Sequence, residues 1–333
     1  MALTAKQIVS QSKSALKQWE SQWKAHAKKV STLPMKSIAH FEASGAGRAC
    51  LLIANGASFE KEIETIKKYQ GNVDILVCDK ALGHCLDNGI IPTYCLVADA
   101  NVSFEKYCEK WKDQLKDTIL FASVCANPDW ALKGQWKDSF FYCVKDAIGT
   151  EKIFQPLSNC PNVIAAGTNV SNTMIILLTQ CENDRPGNFF GYDKYLLIGF
   201  DYCWTWNGSY YAFDFEGKGK RYYMRHNYGR TIAGDYCYTS NNLGFSLSWI
   251  QKYIETFRLP VVQCSRDTVF PTPLVHGGAA DLAKQMQYKG TIDGQAQAAS
   301  LKKLREISEE RRRIVGEIQN RKRAQFFDFA ASL

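Results

Sequence analysis

No uninterrupted apolar run of about 18 residues occurs in this 333-residue chain, so an ordinary membrane-spanning helix is not expected. The opening stretch MALTAKQIVSQSKSALKQW has no apolar centre, so no secretory signal is expected there. Neither GxGxxG nor GxxxxGKS is present, which leaves a standard dinucleotide fingerprint and a P-loop unsupported. There is no internal repeat and no low-complexity tract. The twelve cysteines form no CxxC pair and no Cys/His group at zinc spacing. Several lie inside apolar runs, such as Cys50 before LLIA, Cys78 in ILVCD and Cys95 in YCLVA. That placement predicts reduced structural thiols in a cytoplasmic protein. Asn101-Val-Ser and Asn169-Val-Ser match glycan acceptor sequons, which carry no weight without a secretion signal.

What is present is the usage of a folded protein: 46% apolar, 22% charged and 13% aromatic residues. Wholesale disorder is excluded, and a chain of this length can bury about three quarters of its unfolded surface. The net charge of +8 favours anionic partners. It is unevenly spread, because residues 302–323 hold nine basic and four acidic side chains.

Read along the chain, residues 3–31 carry a partly apolar helical stripe (Ile8, Leu16, Trp19, Trp23) that ends at Ser31-Thr32-Leu33-Pro34. Buried strands are then predicted at 49–54, 73–79 and 91–99, with helical spacing between them. This βαβαβ rhythm predicts a Rossmann-like, doubly wound, mostly parallel sheet. Further strands are predicted at 118–124, 139–144, 194–201 and 259–265, and helices at 170–181 and 244–257. The aromatic, glycine-rich segment 202–240 reads as an irregular lid. A long helix at 295–323 has an apolar stripe suited to the body or to a second copy. The expected division is a helical extension over 1–40, a nucleotide-binding transferase domain over 41–270, and a second helical extension over 271–333.

In an open parallel sheet, ligands bind beyond the carboxyl ends of the strands. The residues there are Asn55, Gly56 and Ser58; Asp79; Asp99 and Asn101; Gly167, Thr168 and Asn169; and Asp201. Acids gathered at one rim are costly unless they bind something. The small-residue turn at 55–58, between a strand and a helix, is suited to a phosphate. Arg221, Arg225 and Arg230 interleave with tyrosines in the lid and could clamp a diphosphate or acidic sugar. His226, near neutral pKa, is the natural proton acceptor there.

The runs LLIANGASFEKEI, LVCDKALGHCLDNGIIPTYCLVAD, AAGTNVSNTMIILL and YLLIGFDY together resemble the DUF115 group. That group includes archaeal 6-hydroxymethylpterin diphosphokinases and motility accessory factor glycosyltransferases. The second half, through LIGFDYCWTWNGSYYAFD and VVQCSRDTVF, resembles bacterial sialyltransferases that use CMP-sugars. The resemblance implies that Asn55, Gly56, Ser58, Asp79, Asp99 and the Gly167–Asn169 turn hold the nucleotide, and that Tyr211 steadies the leaving phosphate. Two departures stand out. Asp replaces Asn at positions 79 and 99, and the stretch before 244–257 lacks the sialyltransferase histidine, leaving His226, Asp235 or Asp201 as base.

These readings converge on a glycosyltransferase moving a nonulosonic-type sugar from a CMP-type donor to a hydroxyl acceptor. One rival is an ATP-using pterin diphosphokinase, with Asp79, Asp99 and Asp201 gathering Mg²⁺. The other is a non-catalytic binding or assembly protein that keeps the fold. A nucleotide or nucleotide-sugar, a hydroxyl-bearing acceptor and a second copy through the C-terminal helix are the expected partners.

Overall fold

The structure, a computed structural model, describes residues 5–181, 185–186, 188–206, 211–214, 227–272 and 278–288. The described residues belong to one compact unit, Met1–Lys289. His226, Arg221, Arg225 and the expected helix at 295–323 lie outside the described residues.

An eight-stranded, wholly parallel sheet forms the centre. Its strands are β1 (Ala49–Ile53), β2 (Asp74–Cys78), β3 (Tyr94–Val97), β4 (Ile119–Ser123), β5 (Asp138–Lys145) and β6 (Val163–Ala165), with β9 (Lys194–Ile198) and β13 (Val261–Gln263). A two-stranded ribbon, β7 (Gln180–Cys181) and β8 (Arg185–Pro186), lies between β6 and β9 in sequence. The spatial order is β13-β9-β1-β2-β3-β4-β5-β6. The chain therefore steps one way from β1 to β6, then returns to the far side of β1. That reversal between β1 and β9 is a topological switch point, where open α/β sheets bind ligands.

The helices are α1 (Ala5–Val30), α2 (Ile63–Tyr69), α3 (Asp79–Asp87), α4 (Phe104–Tyr107), α5 (Asp129–Lys133), α6 (Glu151–Ser158), α7 (Val170–Thr179), α8 (Asn241–Phe257) and α9 (Leu282–Met286). Strands ACLLI and DILVC are buried along their whole length, as expected of strands covered on both faces. Helix α7, with apolar residues all round, is almost entirely buried. Phe41, Phe121, Phe140 and Phe190 pack edge-on and stacked beneath the sheet, with ring centroids 5.0–6.1 Å apart. Asp74, within β2, is paired with Arg48 at 2.8 Å and accepts from the Tyr192 hydroxyl at 2.5 Å. The cysteines whose side chains are described are free, and all but Cys125 are buried.

The described part of the expected lid holds regular structure where an irregular loop is expected. Within 202–240, β10 (Trp204–Thr205), β11 (Asn227–Arg230) and β12 (Tyr236–Thr239) form a small antiparallel sheet. Its cohesion comes from cross-strand aromatic pairs, with Trp206 stacked on Tyr238 at 5.0 Å and Tyr228 beside Tyr238 at 5.4 Å. With few aliphatic residues alternating, the usual strand signal is missing there.

Candidate active site

The loops after β1, β2, β3, β6 and β9 surround one cavity of about 640 Å³, within the range of small-molecule sites. Asn55, Gly56, Asp79, Asp99, Gly167, Thr168, Asn169, Asp201 and Tyr211 all line it. Ser58, Asn101 and Arg230 do not. Ser58 is buried behind the loop. Asn101 faces a second, neighbouring cavity. Arg230 is exposed on β11, where it donates to the Gly234 carbonyl at 3.2 Å and to the Tyr236 hydroxyl at 2.7 Å.

The first loop is held from behind. Asp201 accepts from the Ser58 backbone N–H at 2.9 Å and from the Ser58 hydroxyl at 2.5 Å. The same hydroxyl accepts from the Gly199 N–H at 3.1 Å. Burial pushes the Asp201 carboxyl up to about 7, against the pull of the two Ser58 bonds. Asp201, one of the three groups named as a possible base, is thus engaged in joining the β9 loop to the β1 loop. Only glycine fits at 56, because a Cβ there would lie 2.6 Å from the Asp201 Oδ2 and would meet the Gly199 carbonyl. Asn55 opens this loop. It is only 7% exposed, and neither its amide nitrogen nor its oxygen has a hydrogen-bond partner. A buried amide left in this state is costly unless a ligand completes it.

The opposite wall is the N-terminus of α7. Asn169 caps it, accepting from the Asn172 N–H at 2.8 Å. Thr168 sits in the left-handed region at φ 59°, unusual for a β-branched residue. Gly167 has no room for a side chain, since a Cβ would lie 2.5 Å from the Thr173 nitrogen. Asn172, fully buried, ties this turn together. Its amide donates to the Thr168 hydroxyl at 2.8 Å and to the Ser246 carbonyl on α8 at 2.9 Å, and its oxygen accepts from the Tyr202 hydroxyl.

Asp79 begins α3 and accepts from the Lys80 N–H at 2.7 Å. Burial pushes its carboxyl up to about 6, with neighbouring Asp99 adding to the rise. Asp99 accepts from the Asn101 N–H at 2.8 Å. Among the described residues no three histidine, cysteine or acidic side chains come together as a metal-holding group. Magnesium needs only one or two carboxylates when substrate phosphates complete its shell. Asp79 and Asp99 fit that lesser requirement, whereas Asp201 is taken by Ser58.

Tyr211 crosses over the first loop. It forms an isolated antiparallel bridge with Gly56, and the next residue, Ala212, donates to the Asn55 carbonyl at 3.1 Å. The Lys80 ammonium lies 5.1 Å from the Tyr211 ring centre and 5.7 Å from that of Tyr107. Lys80 is the cation of this cavity that the sequence reading passed over, although it directly follows a strand-end acid. Trp23 of α1, together with Asn242, Leu243 and Ser246 of α8, also lines the cavity. No local pattern marks them, since they arrive from helices remote in sequence.

A carboxyl-end cavity at the switch point, with this order of loops, invites comparison with known proteins. The model of the family described as "6-hydroxymethylpterin diphosphokinase MptE-like" matches residues 24–207. The chain belongs to the MptE-like family. No curated protein matches it in sequence. Among solved structures it is similar to the MAf glycosyltransferase from Magnetospirillum magneticum AMB-1, at TM-score 0.53 and 15% identity over 85% of this chain. At that identity the likeness concerns the fold, and the family member described here spans 42% of that protein's length. No described helix is long and apolar enough to cross a membrane.

Proposed function

We propose that the cavity is the donor site of a glycosyltransferase, which moves a nonulosonic, sialic-acid-like sugar from a CMP-type nucleotide to a hydroxyl acceptor. The observation that supports this most is Asn55: a buried amide without partners, on a residue lining a cavity that the α7 N-terminus, Lys80 and Tyr211 also line. The amide would complete its bonds on the base or ribose. The helix terminus and Lys80 would face the phosphate. Asp79 and Asp99 would accept ribose hydroxyls or share a Mg²⁺ ion with the phosphate. In the transfer step the acceptor oxygen bonds to the anomeric carbon as its proton passes to a base, and the sugar–phosphate C–O bond breaks with its electron pair going to the phosphate. Tyr211 would steady that charge. His226, outside the described residues, is the proposed base, and Arg221 and Arg225 the proposed acidic-sugar clamp.

A melting-temperature panel of CMP, CDP, UDP, GDP and ATP, with and without Mg²⁺, tests the donor class. Stabilisation by CMP is expected, with Tyr211→Phe lowering CMP-sugar turnover about a hundredfold. Unchanged turnover in both Tyr211→Phe and His226→Ala would remove the assignment. A second reading has its own support in the family's description and in the two carboxylates at the cavity. In that reading the protein is a diphosphokinase, and ATP would stabilise it only with magnesium while CMP did nothing. A panel without any shift would point to a binding or assembly protein. Self-association through residues 295–323 stays a separate proposal.

A further inference from the structure

Beside the donor cavity lies a second one, of about 420 Å³, roofed by α1 and floored by the loops after β3, β4 and β5. Trp23, Ala98, Asp99 and Val144 line both, so the two adjoin. Their chemistry differs. The donor cavity has Lys80 and a helix N-terminus, which suit an anion. The described residues that line the second include no lysine, arginine or histidine, while two carboxylates, Asp99 and Asp146, face it. Anions are therefore disfavoured there. Its apolar walls are Trp19 and Trp23, one helical turn apart on the same face of α1, and Phe154 of α6, set edge-on to Trp23 at 6.0 Å. Helix α1 is fastened in this position. His26 Nδ1 lies 3.0 Å from the Cys125 carbonyl, and Lys29 pairs with Asp129 at 3.2 Å.

We propose that this groove is the acceptor subsite and that it takes a neutral pyranoside. Indole faces carry negative charge and attract the weakly positive C–H face of a sugar ring. Carboxylate and amide oxygens at the rim accept from hydroxyl groups. A ring seated against Trp19 and Trp23 presents a hydroxyl past Asp99 into the donor cavity, the direction the shared residues define. This assignment rests on the transferase reading for its role, and on the groove alone for its ligand class.

The test uses saturation-transfer NMR on the full chain with methyl β-D-galactopyranoside and methyl α-D-glucopyranoside as probes. Methyl β-D-glucuronide serves as the anionic control. At least one neutral probe is expected to receive saturation at its ring C–H protons, with the glucuronide much weaker. Trp19→Ala should weaken binding at least about tenfold, and Trp19→Phe should restore part of it. The melting shift given by CMP should be the same in both variants, which also reports that they fold. No signal from either neutral probe, a stronger signal from the glucuronide, or binding indifferent to Trp19→Ala overturns the proposal. Sugar binding without any nucleotide shift would instead overturn the donor-site reading and the acceptor role with it, and leave the groove's ligand class standing.

Discussion

At the scale of single residues, the site is a set of side chains whose bonds are either completed inside the protein or left open. Ser58 and Asp201 complete each other, so their contribution is to loop position. Asn55 is left open. Replacing it with leucine, of similar size, removes two unpaired polar atoms from a buried position. The ligand-free Asn55→Leu protein is expected to be as stable as the parent or about 1 kcal/mol more stable. Its nucleotide-induced melting shift should be lost. A shift that survives in Asn55→Leu would show that the amide does not touch the nucleotide.

Secondary-structure elements are joined at the site by few bonds, and Asn172 alone makes three of them. It connects the N-terminus of α7 to α8 and to the loop after β9. Replacing it with alanine removes the bonds to the Tyr202 hydroxyl, the Ser246 carbonyl and the Thr168 hydroxyl. A loss of about 1–3 kcal/mol is expected, measured by denaturant unfolding. Nucleotide affinity should fall too, because the Thr168 turn is held at its left-handed angle partly by this amide. A variant of parental affinity would mean that the turn holds itself.

The whole molecule responds to pH through two buried acids. Burial raises Asp79 to about 6 and Asp201 to about 7, so the folded chain keeps protons that the unfolded chain releases near pH 4. The stability these groups contribute is full below about pH 4 and is lost as pH rises through about 6 and 7. Melting temperature should therefore fall between pH 5 and 7.5 on their account, and Asp201→Asn should flatten that slope. An identical pH profile in the variant would show that Asp201 is ionised throughout this range. The parallel sheet is what makes these acids so sensitive, since both sit at strand ends under loops and helices that exclude water.

Much of the fold is legible in one dimension. ACLLI, DILVC, YCLV and KYLLI are apolar without alternation, and only strands covered on both faces tolerate that pattern. Their order with intervening helices implies a parallel sheet, and the strand-end rule picks out Asn55, Asp79, Asp99 and Thr168 before any coordinates. Less legible are β6, three residues long, and α6, which carries Pro156 inside it. The aromatic sheet of β10, β11 and β12 is hidden for a different reason, because its stabilising pairs lie across strands. The strands, the rim and the residue types upon it thus follow from the order of residues along the chain. Tertiary structure decided that Ser58 and Asp201 satisfy each other, that Asn55 stays unpaired, and that Trp23 and Lys80 join the cavity. The Ser58–Asp201 pair alone joins segments 143 residues apart, and local propensity carries no information about such distances.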